Sequence, residues 1–236
     1  MGTLLTGGSG LLGSELKRHF NDFYAPPHAT LDIRRPLNLT REYKLIVHCA
    51  AYTDVAGAEE DMAVCEDTNV VGTMNVCMAA AKEKAKVVYI STDYVYPGTT
   101  GNYKETDDTK PINFYAYSKW MGEKVISTYR YDWLIIRTSF KPSKWPYANV
   151  FDDIYTSADY VDVIAEKIAF LIKSGECGIY NVGTERKNLY ELAKLRNPEV
   201  KPISSINWPD VNMPKDCSMD CSKFEELVKS EGYTYA

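Results

Sequence analysis

The chain has 236 residues, a formal net charge of -5 and ordinary globular proportions, with 45% hydrophobic and 25% charged side chains. That length buries a sizeable core, as one large domain or two small lobes, and the acidic balance argues against nucleic acid or an anionic membrane as the main partner. No apolar run approaches the roughly 18 residues of a membrane span, and glycines break the only apolar stretch at the N-terminus, so no signal peptide is expected.

Taken in chain order, short β-like runs alternate with helical patterns. Residues 3–6 read as a strand, 11–20 as a helix, 23–25 as a second strand and 45–50 as a third. A long helix is expected around 62–84, then a strand over 86–91, a helix over 115–129 and a strand over 133–138. These strands are apolar on both faces, which implies a parallel sheet covered by helices. Beyond 138 the pattern changes. Residues 141–149 are rich in Pro, Lys and aromatics and look irregular. A helix over 160–173, a strand over 178–182, a short helix over 189–195, a Pro-rich stretch to 214 and a last helix near 222–230 follow. Two lobes are expected, 1–138 and 139–236, with the strand at 178–182 returning to the main sheet.

Six cysteines are scattered without a C-x-x-C pair. Cys49 lies in an apolar strand pattern and Cys77 in an Ala- and Met-rich helical one, so small core residues in a reducing cytoplasm are expected. Cys217 and Cys221 stand four apart with no His or second Cys pair beside them, and no metal site is expected.

The stretch "LLTGGSGLLGSEL" places Gly7, Gly10 and Gly13 directly after an apolar strand and at the opening of a helix. Glycine permits the sharp turn and lets a pyrophosphate approach the backbone. The helix N-terminus presents free N–H groups and a positive dipole end to phosphates. This context points to dinucleotide binding. The fingerprint calls for an acid about 20 residues on, and Asp32 meets that count. Residues 23–25 are the more natural second strand, so Asp32 and Ile33 belong to a later loop beside the adenine. His28, Arg34 and Arg35 are the basic residues near enough to meet a 2′-phosphate, favouring NADP(H), with NAD(H) as the alternative. Ala50 and Ala51, ending the third strand, let a cofactor pass close to the backbone.

The strand over 86–91 runs into "ISTDYVYPG", an abrupt polar end. A second pattern, Tyr115-Ala116-Tyr117-Ser118-Lys119, puts a phenol and an ammonium on one helix face. A phenol titrates near 10 in water. Unit charges 4 Å apart at an effective dielectric of 20 interact by about 4 kcal/mol, so Lys119 is expected to draw Tyr115 toward the value of about 7 suited to proton transfer. Thr92 would bond the substrate oxygen, Tyr115 would exchange the proton and Lys119 would also hold the nicotinamide ribose. Ser91 should point the other way. Among other polar residues, Arg137 either faces phosphates or pairs with an internal acid. Lys215 reads as a surface lysine, Asn69 as a bond to backbone near the active strand, and His48 as a hydrogen-bonded core residue.

With these motifs the chain resembles the extended short-chain dehydrogenase/reductase superfamily and, more closely, the dTDP-4-dehydrorhamnose reductase family. The matching stretches include "TGGSGLLG", "CAAYTDV", "STDYVYPG", "YAYSKWMGE", "IRTS", "GIYNVG" and "PKDCSMDCSK". The resemblance implies a catalytic trio of Thr92, Tyr115 and Lys119. It implies cofactor contacts at Ser9, Gly10, Leu11 and Leu12, at Asp32 and Ile33, at Ala50, Ala51 and Tyr52, and at Lys119. Substrate contacts would include Thr92 and Asp93. The fold class is then α/β, a Rossmann-like doubly wound parallel sheet with a small, reduced C-terminal substrate lobe, because the segment after 140 is shorter than the family's. Phe140 stands where the family usually has Trp, and Trp145 in the loop is a candidate replacement. Related 4,6-dehydratases resemble Thr-Asp-Glu where this chain has Thr92-Asp93-Tyr94, so a dehydration partner is lost and plain reduction of a nucleotide-linked 4-keto-6-deoxyhexose, NADPH-dependent, is favoured. The alternatives are an NAD-retaining nucleotide-sugar epimerase and a non-catalytic subunit similar to the regulatory subunit of methionine adenosyltransferase. The expected partners are a nucleotide-sugar substrate and, in a homodimer, a second copy.

Overall fold

A computed structural model describes residues 2–207 and 212–235, so part of the Pro-rich stretch, 208–211, lies outside the described residues. Strand β1 (Gly2–Thr6) passes through the glycine turn into helix α1 (Leu11–His19), followed by β2 (Phe23–Tyr24) and β3 (Tyr43–His48). Helices α2 (Val55–Glu60) and α3 (Met62–Glu66), a π-helical turn (Asp67–Val71) and α4 (Gly72–Glu83) lead to β4 (Lys86–Ile90). Helix α5 (Phe114–Ser127) and β5 (Trp133–Thr138) complete the first half. The second half contains β6 (Phe140–Lys141), β7 (Asn149–Phe151), β8 (Tyr155–Thr156), β9 (Asp159–Tyr160), α6 (Val161–Lys173), β10 (Gly178–Val182), β11 (Lys187–Asn188), α7 (Leu189–Lys194), β12 (Lys201–Ile203) and α8 (Ser222–Ser230).

Six strands form one sheet in the order β10-β5-β4-β3-β1-β2, and every ladder in it is parallel. From β1 the chain turns to β2 on one side and then crosses to β3 on the other, so the winding direction reverses there. Thr6 pairs with His48, so β1 and β3 end level. An open parallel sheet has its ligand crevice at such a reversal, beyond the carboxyl ends of the strands.

The strands are apolar on both faces because both are covered. Leu4, Ile46, Val87 and Ile135 pack toward α4 and α5. Their neighbours Leu5, Val47, Val88 and Ile136 pack toward α1 and α6. The two-residue period of a strand produces this alternation, and each such side chain, fully buried, contributes about 1.5–3 kcal/mol of transfer free energy. Helix α6 and strand β10 follow residue 139 in sequence yet belong to this large layer. A separate core of Trp145, Val150, Ile154, Tyr160 and Leu192 holds the small lobe together.

The helix expected over 62–84 is present as an unbroken helical stretch of α3, the π-helical turn and α4, ending at Glu83, and α2 stands before it. Asp54 and Asp61 each turn a carboxylate onto a backbone N–H three residues ahead, at Gly57 and Val64, both at 3.1 Å. These are N-caps, and each starts its own helix. The hydroxyls of Thr68 and Thr73 bond back to the carbonyls of Val64 and Asn69 at 2.8 and 2.6 Å, flanking the π-helical turn.

Arg137, on β5, pairs inward. Its guanidinium donates to Glu123 of α5 at 2.8 and 3.0 Å and to the Tyr96 hydroxyl at 2.9 Å. Ser91 donates to the same carboxylate at 2.6 Å, which turns its side chain away from Thr92 as strand alternation requires. The two charged side chains are only 5% and 4% exposed. Removing one partner from such a pair strands the other charge in the interior, at a cost of about 3–5 kcal/mol. Glu123→Leu is therefore expected to lower the urea midpoint by that much stability with an unchanged slope. Adding Arg137→Met should recover a large part of the loss, and an unshifted midpoint in the single variant would refute the role of the pair.

Candidate active site

The turn after β1 needs its glycines for space. Gly7 has φ +70°, and a Cβ there would lie 2.5 Å from the Ala50 backbone nitrogen. At Gly13 a Cβ would meet the Gly7 carbonyl oxygen at 2.3 Å. The first turn of α1 is thereby drawn against β1 and β3, with the helix N-terminus aimed into the crevice. Helix-start N–H groups have no intrahelical acceptor and suit an anion.

From this turn a cavity of about 690 Å³ runs along the carboxyl edge of the sheet to α5 and β6. Ligand sites commonly fall between 300 and 1,000 Å³. Gly7, Ser9, Gly10, Leu11, Leu12 and Gly13 line one end. Asp32, Ile33, Ala50 and Ala51 line the adjoining wall. Thr92, Asp93, Tyr115, Lys119 and Phe140 line the other end. The structure thus brings all but one of these sequence-derived residues to a single cavity. Tyr52 is the exception. Its backbone is clamped by Asn69, which accepts from its N–H at 2.8 Å and donates to its carbonyl at 3.0 Å, and its hydroxyl lies against Gly57.

Local structure fixes each polar group at the far end. β4 stops at Ile90, and Thr92 caps the following 3-10 turn by accepting from the Tyr94 N–H at 3.2 Å. Its hydroxyl donates to Asp93 at 3.2 Å. Asn113 caps α5 by accepting from the Ala116 N–H at 2.8 Å. Spacing four then sets Tyr115 and Lys119 on one face. Asn69 also donates to Ser118 at 2.8 Å, tying the loop after β3 to the middle of α5. It reaches the backbone after β3 rather than that of the active strand β4. His48 is buried between the hydroxyls of Thr6 and Thr73, at 2.8 and 3.1 Å, as a core histidine. Lys215 pairs with Asp153 at 3.2 Å on the surface.

Burial dominates the electrostatics. The Tyr115 phenol is pushed well above its usual range by desolvation, while hydrogen bonding to Thr92 pulls the other way. Lys119 does not draw it toward 7 as the spacing suggested. The ammonium itself is desolvated and falls to about 7, its charge set over the Tyr89 ring at 4.1 Å. Asp93, almost fully buried, is raised to about 7 mainly by desolvation, opposed by Lys141. At the mouth, the Arg34 side chain holds Asp32 with both donors, at 3.0 and 2.8 Å, and keeps its carboxyl down at about 2. His28 stands 3.9 Å from the same carboxylate. His28 and Arg34 line the cavity, and Arg35 does not.

Sequence reasoning missed Lys141 and Tyr147, which line the substrate end. Trp145, expected there, is instead packed in the core of the small lobe. Nothing in the local pattern distinguishes these three, because the short β6–β9 pairing decides which way the segment faces. Thr138, also on the wall, has a buried hydroxyl without a hydrogen-bond partner among the described residues. Among the described residues no group of acids, histidines and cysteines could hold a metal.

Strand order, winding reversal and the glycine turn make this a dinucleotide-binding α/β protein of the extended short-chain dehydrogenase/reductase superfamily. Residues 1–141 match the family described as RmlD substrate binding domain, and the chain belongs to that family. It is 29% identical to a dTDP-4-dehydrorhamnose reductase of Mycobacterium tuberculosis, over 87% of this chain and 80% of the relative. A solved structure described as a hypothetical dTDP-4-dehydrorhamnose reductase from Sulfolobus tokodaii superposes with a TM-score of 0.87 at 30% identity, covering 100% of this chain and 98% of that one. A dTDP-4-dehydrorhamnose reductase from Bacillus anthracis, solved in complex with NADP, gives a TM-score of 0.85 at 27% identity, covering 99% and 94%.

Lys119 penalises folding near neutrality. Its ammonium titrates at about 7 in the folded chain against the ordinary lysine value of 10.5. Between these values the unfolded chain holds a proton that the folded chain lacks, so stability rises with pH across this window. Below it the penalty is full. Lys119→Met should therefore raise the Tm at pH 7 in the absence of nucleotide, with a gap over wild type that shrinks as pH climbs toward 10. Thermal scans showing a gap independent of pH would remove this assignment.

Proposed function

We propose that this chain is an NADPH-dependent reductase of the 4-keto group of a nucleotide-linked 6-deoxyhexose. The observation that carries this is the convergence of Thr92, Tyr115 and Lys119 at one end of a cavity whose other end is the glycine turn. The residues present fit the cofactor. The glycine cradle leaves no room for a Cβ, the α1 N-terminus suits the pyrophosphate, and Lys119 lies where the nicotinamide ribose would be held. When bound, the nicotinamide supplies the hydride that adds to C4.

The protein supplies the proton and the geometry. Thr92 donates to the carbonyl oxygen and orients it. Tyr115 gives that oxygen its proton as the carbonyl becomes an alcohol. A buried phenol held well above its ordinary range is fully protonated at neutral pH, the form an acid needs at the start of a reduction. Lys119, still partly charged, stands on the same helix face as Tyr115. Tyr94 replaces the carboxylate a dehydratase would use, and burial holds its phenol neutral too.

The adenosine end supports NADPH. A free carboxylate at Asp32 would favour a ribose hydroxyl and repel a phosphate. Arg34 neutralises it, and His28 adds a second basic group beside it. The relative from Bacillus anthracis was solved with NADP. Exposed Val71, Met74 and Met78 lie together on α4 and its entry turn, a surface on which a homodimer could form. All six cysteines are unpaired, in keeping with a reducing cytoplasm.

Arg34→Ala should raise KM for NADPH at least several-fold while leaving KM for NADH within about twofold; equal effects on both cofactors would remove Arg34 from the discrimination. The decisive measurement is NADPH oxidation with dTDP- and UDP-linked 4-keto-6-deoxyhexoses. Tyr115→Phe is expected to lose at least ~100-fold in kcat. Equal rates in the two proteins would defeat the proposed role, tightly retained NAD without need of added cofactor would favour the epimerase, and absence of turnover with a stable enzyme partner would favour a regulatory subunit.

A further inference from the structure

Lys141 carries a charge that no described residue answers with a hydrogen bond or an ion pair. It lies on β6, whose ladder with β9 pairs it with Tyr160 and thereby fixes where it sits on the wall of the cavity. It is half-buried, and its ammonium makes no hydrogen bond or ion pair with a described residue. Asp93 acts on it through space only, which agrees with its place at the substrate end of the cavity. Several other cations are committed. Arg34 is held by Asp32 and Arg137 by Glu123, each at 2.8 Å. In the small lobe Arg186, Lys187, Arg196 and Lys215 are each tied to a carboxylate.

A desolvated cation without a partner is costly to maintain. Burial lowers the Lys141 ammonium, and Asp93, itself pushed up by burial, compensates only in part. The free energy of such a site falls when an anion enters. We propose that Lys141 is the cation that receives the diphosphate of the nucleotide-linked sugar, an inference that rests on the reductase reading above. The geometry agrees with that substrate. In a pyranose C1 and C4 lie across the ring from one another, so a sugar whose C4 carbonyl meets Tyr115 and Thr92 carries its diphosphate on the far side of the ring. Lys119 is taken up by the reacting centre, which leaves Lys141, among the described residues, as the remaining lysine or arginine on the cavity wall without a carboxylate partner. Lys141 is a binding residue in this scheme and takes no part in proton transfer.

The test uses the full chain and two probes, thymidine diphosphate and uridine diphosphate, titrated calorimetrically in the presence of saturating NADP. Lys141→Met should weaken both at least ~10-fold, and Lys141→Arg should restore most of the affinity, since a guanidinium also pairs with phosphate. The affinity for NADP itself should stay within about twofold in both variants, which reports that the fold and the glycine turn are intact. With the keto sugar as substrate, Lys141→Met should raise KM and leave kcat near wild type, the signature of lost uniform binding. Unchanged diphosphate affinity in Lys141→Met, or a wild type that binds neither probe, overturns the assignment. A wild type that binds both probes through Lys141 but reduces no 4-keto sugar would instead sink the reductase reading and leave the anion site standing.

Discussion

The buried pair of Arg137 and Glu123 is the constraint on which the geometry of the site depends. Arg137 belongs to β5 and Glu123 to α5, so the pair docks the helix carrying Tyr115 and Lys119 onto the sheet. Ser91 joins the same carboxylate, which locks the last turn of backbone before Thr92. A hydroxyl on β4 and a phenol on α5 are thereby held relative to one another by charge-assisted hydrogen bonds in the interior. Such bonds are shorter and more directional than apolar contacts. Asn69 adds a second tie, from the loop after β3 to Ser118, so α5 is anchored along its length.

Around that frame the protein keeps charge where burial is unfavourable. Lys119 is driven down and Asp93 up, both to about 7, by desolvation, and the neighbours of each only partly oppose the shift. Strongly perturbed groups in a cleft are characteristic of sites built for chemistry. Stability is sacrificed there, and the apolar faces of the sheet, filled by Leu, Ile and Val on both sides, are large enough to carry the loss.

Much of the fold was legible in the residues. Strand and helix periods placed 133–138, 178–182 and 222–230 at their observed positions, because alternation and amphipathicity are local properties. The helix expected over 62–84 is there, but the π-helical turn inside it was not legible. Asp61 caps a new helix, and the π-helical turn that follows aims Asn69 at two other segments, a choice made by partners distant in sequence. The wall of the cavity followed the same division. Glycine spacing and Tyr115 with Lys119 could be read directly, whereas Lys141 went unseen and Tyr52 stands outside the cavity lining.

The sequence alone determined the glycine turn, the parallel α/β layering and the phenol–ammonium face of α5, since each depends on residues within one or two turns of chain. Only the tertiary structure decided that Arg137 faces Glu123, that Trp145 is core while Tyr147 and Lys141 line the cavity, and that burial rather than Lys119 governs Tyr115. Those outcomes depend on which groups lose water on folding, and desolvation is a property of the packed molecule, not of any stretch of its chain.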